Sequence, residues 1–338
     1  MNNRSGPRSF YTVKRSNREE RLRRRMQGRL TLLAICAVLI LLAVSGLVLF
    51  IANLANAKPR DPSSDPTAEI TFQTVTLTVA DMRKGDLIVV NSAHIYTFPS
   101  PRLEDLSASA KTAYLLASYR QQLGGSNPYS LDLSKEHLMM PNAAQALNDM
   151  LEQNCLATGE SAINVHTTYR TEADQASGQF APGYSEHHTG LLVRLQVWNA
   201  GGTYSDLKEA DRPWIFRNCH SYGFIQRYPA AKAGITGVSN YEECFRYVGV
   251  PHATYIKQNG LCLEDYVTLL KNNHSTTNGS NLKMLSVDTN GDGISDYGVY
   301  YVPVNAAGDL TAVPVPNGLT YTVSGDNIGG FIITVTLQ

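Results

Sequence analysis

Apolar residues are distributed unevenly along the 338-residue chain, and the longest apolar run lies near its start. Residues 30–52 contain no charged side chain and consist mostly of Leu, Ile, Val and Ala. About 20 consecutive apolar residues suffice to cross a bilayer as a helix, so this run predicts a transmembrane helix. Because it exceeds the roughly 7–15 residues of a signal-peptide core, the pattern favours a retained anchor over a cleaved leader.

Beyond this run the periodicity of apolar positions changes repeatedly. Residues 53–75, rich in Pro, Ser and Asp, are typical of a stalk. Apolar residues then alternate or cluster as in strands at 74–79, 87–91 and 162–166. Helical spacing occurs at 106–122, 142–158, 212–221 and 263–272. Since helices and strands mix without a regular βαβ rhythm, the pattern predicts a single mixed α+β domain over residues 76–272.

The composition changes again after residue 272. Residues 272–281 are mostly Asn, Ser, Thr and Gly, which predicts a linker. Four strand-like segments follow, at 298–304, 310–315, 320–324 and 330–337. They predict a small β appendix over residues 282–338. A unit of about 55 residues is near the lower size limit for independent stability, so we expect it to pack on the α+β domain.

The formal net charge of zero conceals a basic head and an acidic remainder. Residues 1–29 contain ten Lys or Arg and two Glu, leaving 19 basic and 27 acidic residues in the rest. The basic flank predicts a cytoplasmic head, residues 1–29, and a single-pass protein of the cell membrane with an extracellular C-terminal domain. The acidic remainder excludes nucleic acid as the partner, because phosphate binding requires a basic surface.

Five cysteines are present, and Cys36 falls in the predicted membrane span. Cys155, Cys219, Cys244 and Cys262 would lie in an oxidising exterior, where disulfides persist. Four cysteines allow three pairings, and the sequence does not choose among these pairings and four free thiols.

The chemistry of the chain is concentrated in ordered polar motifs. They are Thr168-Tyr169-Arg170-Thr171 with Gln175, Ser185-Glu186-His187-His188-Thr189-Gly190, Tyr222-Gly223-Phe224-Ile225-Gln226-Arg227-Tyr228-Pro229, and Phe245-Arg246-Tyr247-Val248-Gly249. In this order and spacing the motifs resemble the VanY-type D-alanyl-D-alanine carboxypeptidases. These are zinc enzymes that remove the terminal D-alanine from peptidoglycan stem peptides. The resemblance covers about residues 85–270 and implies a peptidase-like fold for the α+β domain.

The resemblance also implies a zinc site made of His, Asp and a second His, with Glu as the general base. Here His187 is kept, but Arg194 stands at the Asp position and Cys244 at the second His position. Arg cannot ligate zinc, whereas Cys can as a thiolate. His187 and Cys244 are therefore the candidate metal ligands, with His188 as a third. Tyr241 stands at the base position, and a shift of one residue brings Glu242 there.

The substrate-binding residues implied by the resemblance match the family better than the metal ligands do. Arg170 would bind a carboxylate of the peptide, with Tyr169, Gln175 and Ser185 lining the same cleft. A structural ion pair is the alternative for Arg170. Because of Arg194 we expect zinc to be absent, and Arg194 to replace its charge by pairing with Glu242 or Glu243. We expect His252, after these motifs, to be structural.

A separate acidic motif lies at the start of the β appendix. Asp288, Asn290, Asp292 and Asp296 have the spacing of the first half of a calcium-binding loop, with Gly293 at its sixth position. Val299 stands where that loop requires a bidentate Glu. A polar hairpin turn explains the same residues, so calcium binding and a turn remain alternatives.

Three functions are compatible with these residues. The first is a pseudoenzyme at the bacterial cell wall that binds the peptidoglycan stem peptide, or a cell-surface protein, without zinc catalysis. The second is an active metallo-D,D-carboxypeptidase with an altered metal site. The third is a surface scaffold in which the cleft has no ligand. The substrate-binding residues of the family are present while its metal ligands are missing, which favours the first function, the pseudoenzyme.

Overall fold

The computed structural model describes residues 70–176 and 180–338, which form a mixed α+β fold with three sheets. The described strands are β1 Phe72–Thr78, β2 Ser130–Leu131, β3 Ile163–Thr167, β4 Leu192–Trp198, β5 Tyr204–Asp206, β6 Phe224–Gln226, β7 Cys244–Tyr247, β8 Leu285–Val287, β9 Tyr297–Pro303, β10 Leu310–Pro316, β11 Tyr321–Gly325 and β12 Gly330–Thr336. The α-helices are α1 Ala108–Lys111, α2 Pro141–Thr158, α3 Glu172–Gln175, α4 Pro213–Asn218, α5 Ala233–Thr236, α6 Val250–Gln258 and α7 Leu263–Asn273. The predicted α+β class is confirmed.

The central sheet has the strand order β2-β3-β4-β7-β6, and β5 pairs with the far end of β4. Only β2 and β3 are parallel among the pairs of this sheet; the others are antiparallel. One face of the sheet carries Val193 and Phe245, which pack against α2 in the larger core. The opposite face carries Leu192, Arg194 and Cys244, so the strand alternation separates the core from the polar face.

Helix α2 is the longest described helix, and its sequence explains both of its ends. Pro141 occupies the first turn, where its missing N–H costs no hydrogen bond. Gly159 follows the last residue with φ 72°, and its N–H donates to Cys155 O at 2.8 Å. Only glycine adopts this left-handed conformation without strain. The helix thus ends four residues before β3 and leads the chain directly into the central sheet.

The C-terminal strands form a second, antiparallel sheet of order β11-β12-β9-β8, and β1 pairs with β10 in a separate ribbon. Helices α6 and α7 pack between this sheet and the central one, around Val267, Tyr301 and Ile332. Strand β1 therefore pairs with a strand that follows it by more than 230 residues, and Val75 lies opposite Val313 in this antiparallel pair.

The end of β11 and the start of the turn after it, Ser324–Asn327, hold the segment of residues 82–95 on the second sheet; we call these four residues the turn at Ser324–Asn327. Asp326 Oδ1 accepts the N–H groups of Ile328, Gly329 and Gly330 at 2.7, 2.8 and 3.0 Å. Ser324 Oγ accepts the N–H of Leu87 at 2.9 Å. A Cβ atom at Gly325 would lie 1.9 Å from Met82 O, so only glycine permits this close approach.

The predicted helix at 106–122 is wrong as a continuous element. Only α1 and two short 3₁₀ turns, Thr112–Tyr114 and Leu116–Ser118, occur there. Leu115 is extended because its neighbours bond to another segment: Leu116 N–H donates to His137 O and Met139 N–H to Tyr114 O. These tertiary hydrogen bonds outweigh the local helix propensity.

The predicted localisation at the cell membrane requires correction. No helix in the described ranges 70–176 and 180–338 is long and apolar enough to cross a membrane. The predicted basic head, the span at 30–52 and most of the predicted stalk, together with Cys36, lie outside the described residues. The four other cysteines are all free thiols, so none of the three disulfide pairings occurs.

Candidate functional site

The first site motif follows the irregular end of β3. The pairing of β3 with β4 shifts register between Val165 and Thr167, so the chain turns away from the sheet after residue 167. Helix α3 begins immediately afterwards with a capping box: Thr171 Oγ1 accepts Asp174 N–H at 3.1 Å, and Asp174 Oδ2 accepts Thr171 N–H at 3.2 Å. The box fixes this short helix and presents Gln175 from its last position.

The second motif is a 3₁₀ turn, Glu186–Thr189, that leads into β4. Ser185 Oγ accepts the N–H of His187 at 3.4 Å, and Gly190 ends the turn with φ 69°. The main chain of Arg170 is bound to this turn from both sides. Its N–H donates to His187 O at 3.2 Å, and its carbonyl oxygen accepts from His188 Nδ1 at 2.8 Å. The two motifs are therefore held as one unit.

A small cavity of about 50 Å³ gathers most of the predicted site residues. Among the described residues it is lined by Arg170, Gln175, Phe180, Ser185, His187, Leu192, Arg194, Tyr228, Tyr241 and Cys244. It opens beside a polar groove of about 750 Å³ whose lining includes Tyr169, Lys135 and His166. Arg170 and Tyr241 line both spaces. We call the two spaces together the candidate cleft.

Two of the predicted site residues, Tyr169 and Glu242, do not line the small cavity. Tyr169 lies in the groove, where its hydroxyl donates a short hydrogen bond to Glu104. Glu242, the candidate base, is not among the described residues that line the small cavity. Its carbonyl oxygen accepts from Gln226 Nε2 at 3.3 Å.

Arg170 is half-buried at the junction of cavity and groove. Within residues 70–176 and 180–338, no oxygen atom forms a hydrogen bond or ion pair with its guanidinium. The predicted alternative, a structural ion pair, is therefore not present there. Gln175 is also incompletely paired: its Nε2 donates to Phe180 O at 2.8 Å, but its buried Oε1 accepts no hydrogen bond from the described protein. Buried polar atoms are rarely left unpaired in folded proteins.

His187 is buried and keeps one ring nitrogen available. Its Nδ1 donates to Thr168 O at 2.6 Å, which leaves Nε2 as an acceptor. Burial, and then the charge of Arg170, lower the pKa of His187 to about 3, so the ring is neutral at physiological pH. His188 differs, because its Nδ1 donates to Arg170 O and its Nε2 accepts the N–H of Gly183 at 3.1 Å. Both nitrogens of His188 are used within the protein.

Arg194 and Cys244 face each other across β4 and β7. Arg194 Nε donates to Glu243 Oε1 and its Nη2 to Asp206 Oδ1, both at 2.8 Å. The guanidinium also lies 5.4 Å from the ring centre of Tyr241. Of the two expected partners, Glu243 is therefore the one that binds Arg194. Asp206 was not anticipated, since no motif in β5 marks it.

The residues of the small cavity do not fit the zinc site of the resemblance. His187 and Cys244 are the two metal-binding side chains in its described lining, and Arg194 supplies a fixed positive charge beside them. Burial, and then the neighbouring Glu243, raise the pKa of the Cys244 thiol, whereas zinc requires the thiolate. No group of three or more His, Cys, Asp or Glu in the described chain could hold a metal ion.

The acidic motif at 288–296 forms the turn between β8 and β9. Asp288 Oδ1 accepts the N–H groups of Asn290 and Gly291, and its Oδ2 accepts that of Gly293 at 2.7 Å. Asp292 Oδ1 accepts Ile294 N–H at 2.8 Å, and Asp296 Oδ2 accepts Thr289 N–H at 2.7 Å. The oxygens proposed as calcium ligands therefore bind the main chain of the turn.

A buried ion cluster, defined by Glu186, Arg227, Arg246 and Glu264, lies directly behind the cleft. Arg227 Nε donates to Glu186 Oε1 at 2.8 Å, and its two Nη atoms bind both oxygens of Glu264 at 3.0 and 2.6 Å. Arg246 Nη1 lies 3.2 Å from Glu186 Oε2, an ion pair outside hydrogen-bond geometry. No pattern in the chain marks Arg227 and Arg246 for this role, because they lie in motifs that suggest only family membership.

The sequence of the chain matches one family model and several known proteins. The model of the D-alanyl-D-alanine carboxypeptidase (VanY) family matches residues 136–250. A D-alanyl-D-alanine carboxypeptidase of Enterococcus faecium is 31% identical over 272 residues, which cover 78% of this chain and 79% of the relative.

Two solved structures are also similar. The vancomycin-resistance D,D-dipeptidase VanXYg, in complex with a D-Ala-D-Ala phosphinate analogue, has a TM-score of 0.60 at 23% identity and covers 79% of this chain and 99% of its own. A variant of the D,D-pentapeptidase VanY from a VanB-type resistance cassette, in complex with Zn(II), has a TM-score of 0.36 at 30% identity, covering 54% and 98%. The VanXYg structure shows that the chain has the fold of this class of D,D-peptidases. From its similarity to the enterococcal carboxypeptidase, the chain belongs to the VanY-type D-alanyl-D-alanine carboxypeptidase family.

Proposed function

We propose that the protein binds the C-terminal end of a peptidoglycan stem peptide in the candidate cleft without zinc catalysis. The single observation that carries the proposal is the guanidinium of Arg170, which lies at the junction of groove and cavity and has no partner among the residues that the structure describes. A half-buried cation without a partner is costly, and a ligand carboxylate would supply two charge-assisted hydrogen bonds. The structure of VanXYg was solved with a D-Ala-D-Ala phosphinate analogue, a ligand of this class.

The other groups in the cavity complement such a peptide end. The Oε1 of Gln175 and the Nε2 of His187 are acceptors, suited to a peptide N–H group. The Ser185 hydroxyl can donate to the same carboxylate as Arg170. The cavity of about 50 Å³ has room for a terminal methyl group and little more, so we expect the preceding residues to lie in the larger groove.

Arg194 provides the argument against zinc catalysis. Its charge is compensated by Glu243 and Asp206, so the protein itself carries a cation on the polar face of β4 and β7. A guanidinium cannot ligate Zn²⁺, so the position that supplies a carboxylate ligand in the family supplies none here. In this proposal the cleft keeps its affinity for the peptide and lacks the means to activate a water molecule.

A binding titration tests the proposal. A peptide ending in D-Ala-D-Ala should bind the purified protein, and its C-terminal amide should bind at least about 10-fold more weakly, because it lacks the carboxylate. Arg170→Met should weaken binding of the acid to the level of the amide. Lys135→Met is the matched control, since Lys135 lines the same groove but pairs with Asp132 at 3.0 Å. Equal binding of acid and amide would contradict the proposal, and no binding at all would favour a scaffold.

A second experiment separates binding from catalysis. We expect no release of D-alanine by the wild-type protein with added Zn(II), and no stoichiometric zinc in it by metal analysis. The double variant Arg194→Asp with Cys244→His restores the donor types of the family, and we expect it to gain bound zinc. Chelator-sensitive release of D-alanine by the wild type would instead establish an active metallo-carboxypeptidase with an altered site.

A further inference from the structure

A second cleft, separate from the candidate cleft, lies between the segment of residues 80–106 and the residues Tyr114, Met140, Thr189 and Leu191. It has a volume of about 680 Å³, within the range of small-molecule sites. Its walls are mostly apolar and include Ile88, Tyr96, Phe98, Leu103, Met140 and Leu191. We call it the apolar cleft.

The outer wall of the apolar cleft is fixed at several points along the segment. Gly325 N–H donates to Lys84 O at 2.8 Å, and Tyr96 N–H donates to Gly183 O at 2.7 Å. The first contact ties the wall to the second sheet, and the other ties it to the loop before the 3₁₀ turn of the candidate site. A cleft with such a wall is largely formed before a ligand arrives, which reduces the entropy cost of binding.

Asp86 lines this cleft and is the exception among the enclosed carboxylates. Glu186, Glu243, Glu264 and Asp326 each have hydrogen-bond or ion-pair partners. The carboxylate of Asp86 has none within residues 70–176 and 180–338, although its carbonyl oxygen accepts from Arg246 Nη2 at 3.0 Å. Burial raises the pKa of Asp86, and the charge of Arg246 opposes this rise.

Of the three cations near the cleft, two form ion pairs and the third, Arg83, donates a hydrogen bond to a hydroxyl group. Lys84 Nζ binds Asp81 at 2.8 Å, and Arg246 Nη1 faces Glu186 at 3.2 Å. Arg83 is exposed, and its Nη1 donates to Thr97 Oγ1 at 3.3 Å. A carboxylate that lies among apolar walls, with no partner from the described part of the chain, favours a ligand that brings both a positive charge and apolar surface.

We propose that the apolar cleft binds an organic ammonium ion whose hydrocarbon or aromatic body lies on the apolar walls while its nitrogen pairs with Asp86. This site would be additional to the proposed binding of peptide carboxylates, and it shares neither Arg170 nor His187 with it.

Titration of the purified protein with 2-phenylethylamine and with 2-phenylethanol tests this proposal. The two probes have the same apolar body, and only the amine carries a charge. We expect the amine to bind at least about 10-fold more tightly, as one charge-assisted pair contributes roughly this factor. Asp86→Asn should reduce the affinity of the amine to that of the alcohol.

Two further variants make the result specific. Asp105→Asn is the matched control, because Asp105 lies exposed in the same segment but outside the cleft lining, and it should change the affinity less than twofold. Leu106→Trp fills the cleft without a charge change and should abolish binding of both probes. Equal affinities for amine and alcohol, an unchanged affinity in Asp86→Asn, or no binding of either probe would each overturn the proposal.

Discussion

Glu186 and His187 are neighbours in the chain but belong to two different regions. The polar groups around Glu186 are paired, whereas some of those around His187 have no partner in the described protein. Glu186 is part of the buried ion cluster, in which every charge has a partner of opposite sign. His187 faces the candidate cleft, where Arg170 and the Oε1 of Gln175 lack partners in the described protein. Paired groups serve the fold, whereas unpaired groups are available to a ligand. The comparison thus separates residues that hold the site from residues that use it.

The largest expected effect comes from breaking the ion cluster. Arg227→Met would remove the cation of Glu264 and leave Glu186 with Arg246 alone, which should lower the free energy of unfolding by about 3–5 kcal/mol. Urea unfolding followed by circular dichroism measures the change. Lys135→Met removes a mostly exposed pair and should leave the midpoint unchanged. If the two variants unfold at the same urea concentration, the cluster does not hold the site.

The turn at Ser324–Asn327 is a second saturated region and should respond almost as strongly. Asp326→Ala would leave three main-chain N–H groups and the Tyr301 hydroxyl without their acceptor, at a cost of about 3 kcal/mol. Asp326→Asn keeps one acceptor oxygen and should cost about 1 kcal/mol. Thermal unfolding of both variants gives the order, and an alanine variant as stable as the asparagine variant would contradict this account.

His252 predicts a pH dependence of stability. The ring is buried between the hydroxyls of Tyr266 and Thr334, at 2.8 and 3.0 Å, and burial lowers the pKa of His252 to about 3. In the unfolded chain the ring takes up a proton near pH 6.5, while in the folded protein it does not. The unfolded state therefore binds more protons below that pH, and stability falls as the pH is lowered.

For this residue the loss between pH 7 and pH 5 should be about 2 kcal/mol. His252→Gln should therefore show a smaller loss of unfolding free energy over this range than the wild type, by about that amount. Urea titrations at the two pH values measure it. Parallel pH profiles for wild type and variant would show that His252 is not the group responsible.

The smallest effect on stability is expected for Arg170→Met, and it distinguishes the ion cluster from the candidate cleft most clearly. Arg170→Met removes a charge without a partner in the described protein, so the free energy of unfolding should change by less than about 0.5 kcal/mol. The same variant should lose at least about 10-fold in affinity for a peptide ending in D-Ala-D-Ala. A large loss of stability would place Arg170 with the ion cluster and weaken its assignment to a ligand.

Local patterns predicted many of the elements but not their pairing. The helix at 142–158 and the four C-terminal strands occur within one or two residues of their predicted bounds. Residues 87–91 were predicted as a strand, but they belong to none of the strands in the described sheets. Ser324 Oγ and Asp326 O accept the N–H groups of Leu87 and Val89 instead. Side-chain and turn acceptors more than 230 residues away leave no local signal in the sequence.

The candidate cleft shows the same limit. The motifs identified Arg170, Gln175, Ser185 and His187, and the structure brings all four to one cavity. Asp206 reaches the site only through the pairing of β5 with β4, so spacing in the chain could not find it. That Arg170 and Asp86 have no partner among the described residues also could not be predicted, since it depends on every neighbour in space.

The turn at Ser324–Asn327 also has a consequence for the order in which the molecule can assemble. During synthesis the segment of residues 82–95 emerges early, but the groups that bind its main chain are made more than 200 residues later. Such distant contacts close late, and domains rich in them fold slowly. The wall of the apolar cleft can therefore be completed only after most of the chain has been made. A ribosome that stops before residue 324 would release a protein with every motif of the candidate cleft but without the contacts that residues 324–327 make to that wall.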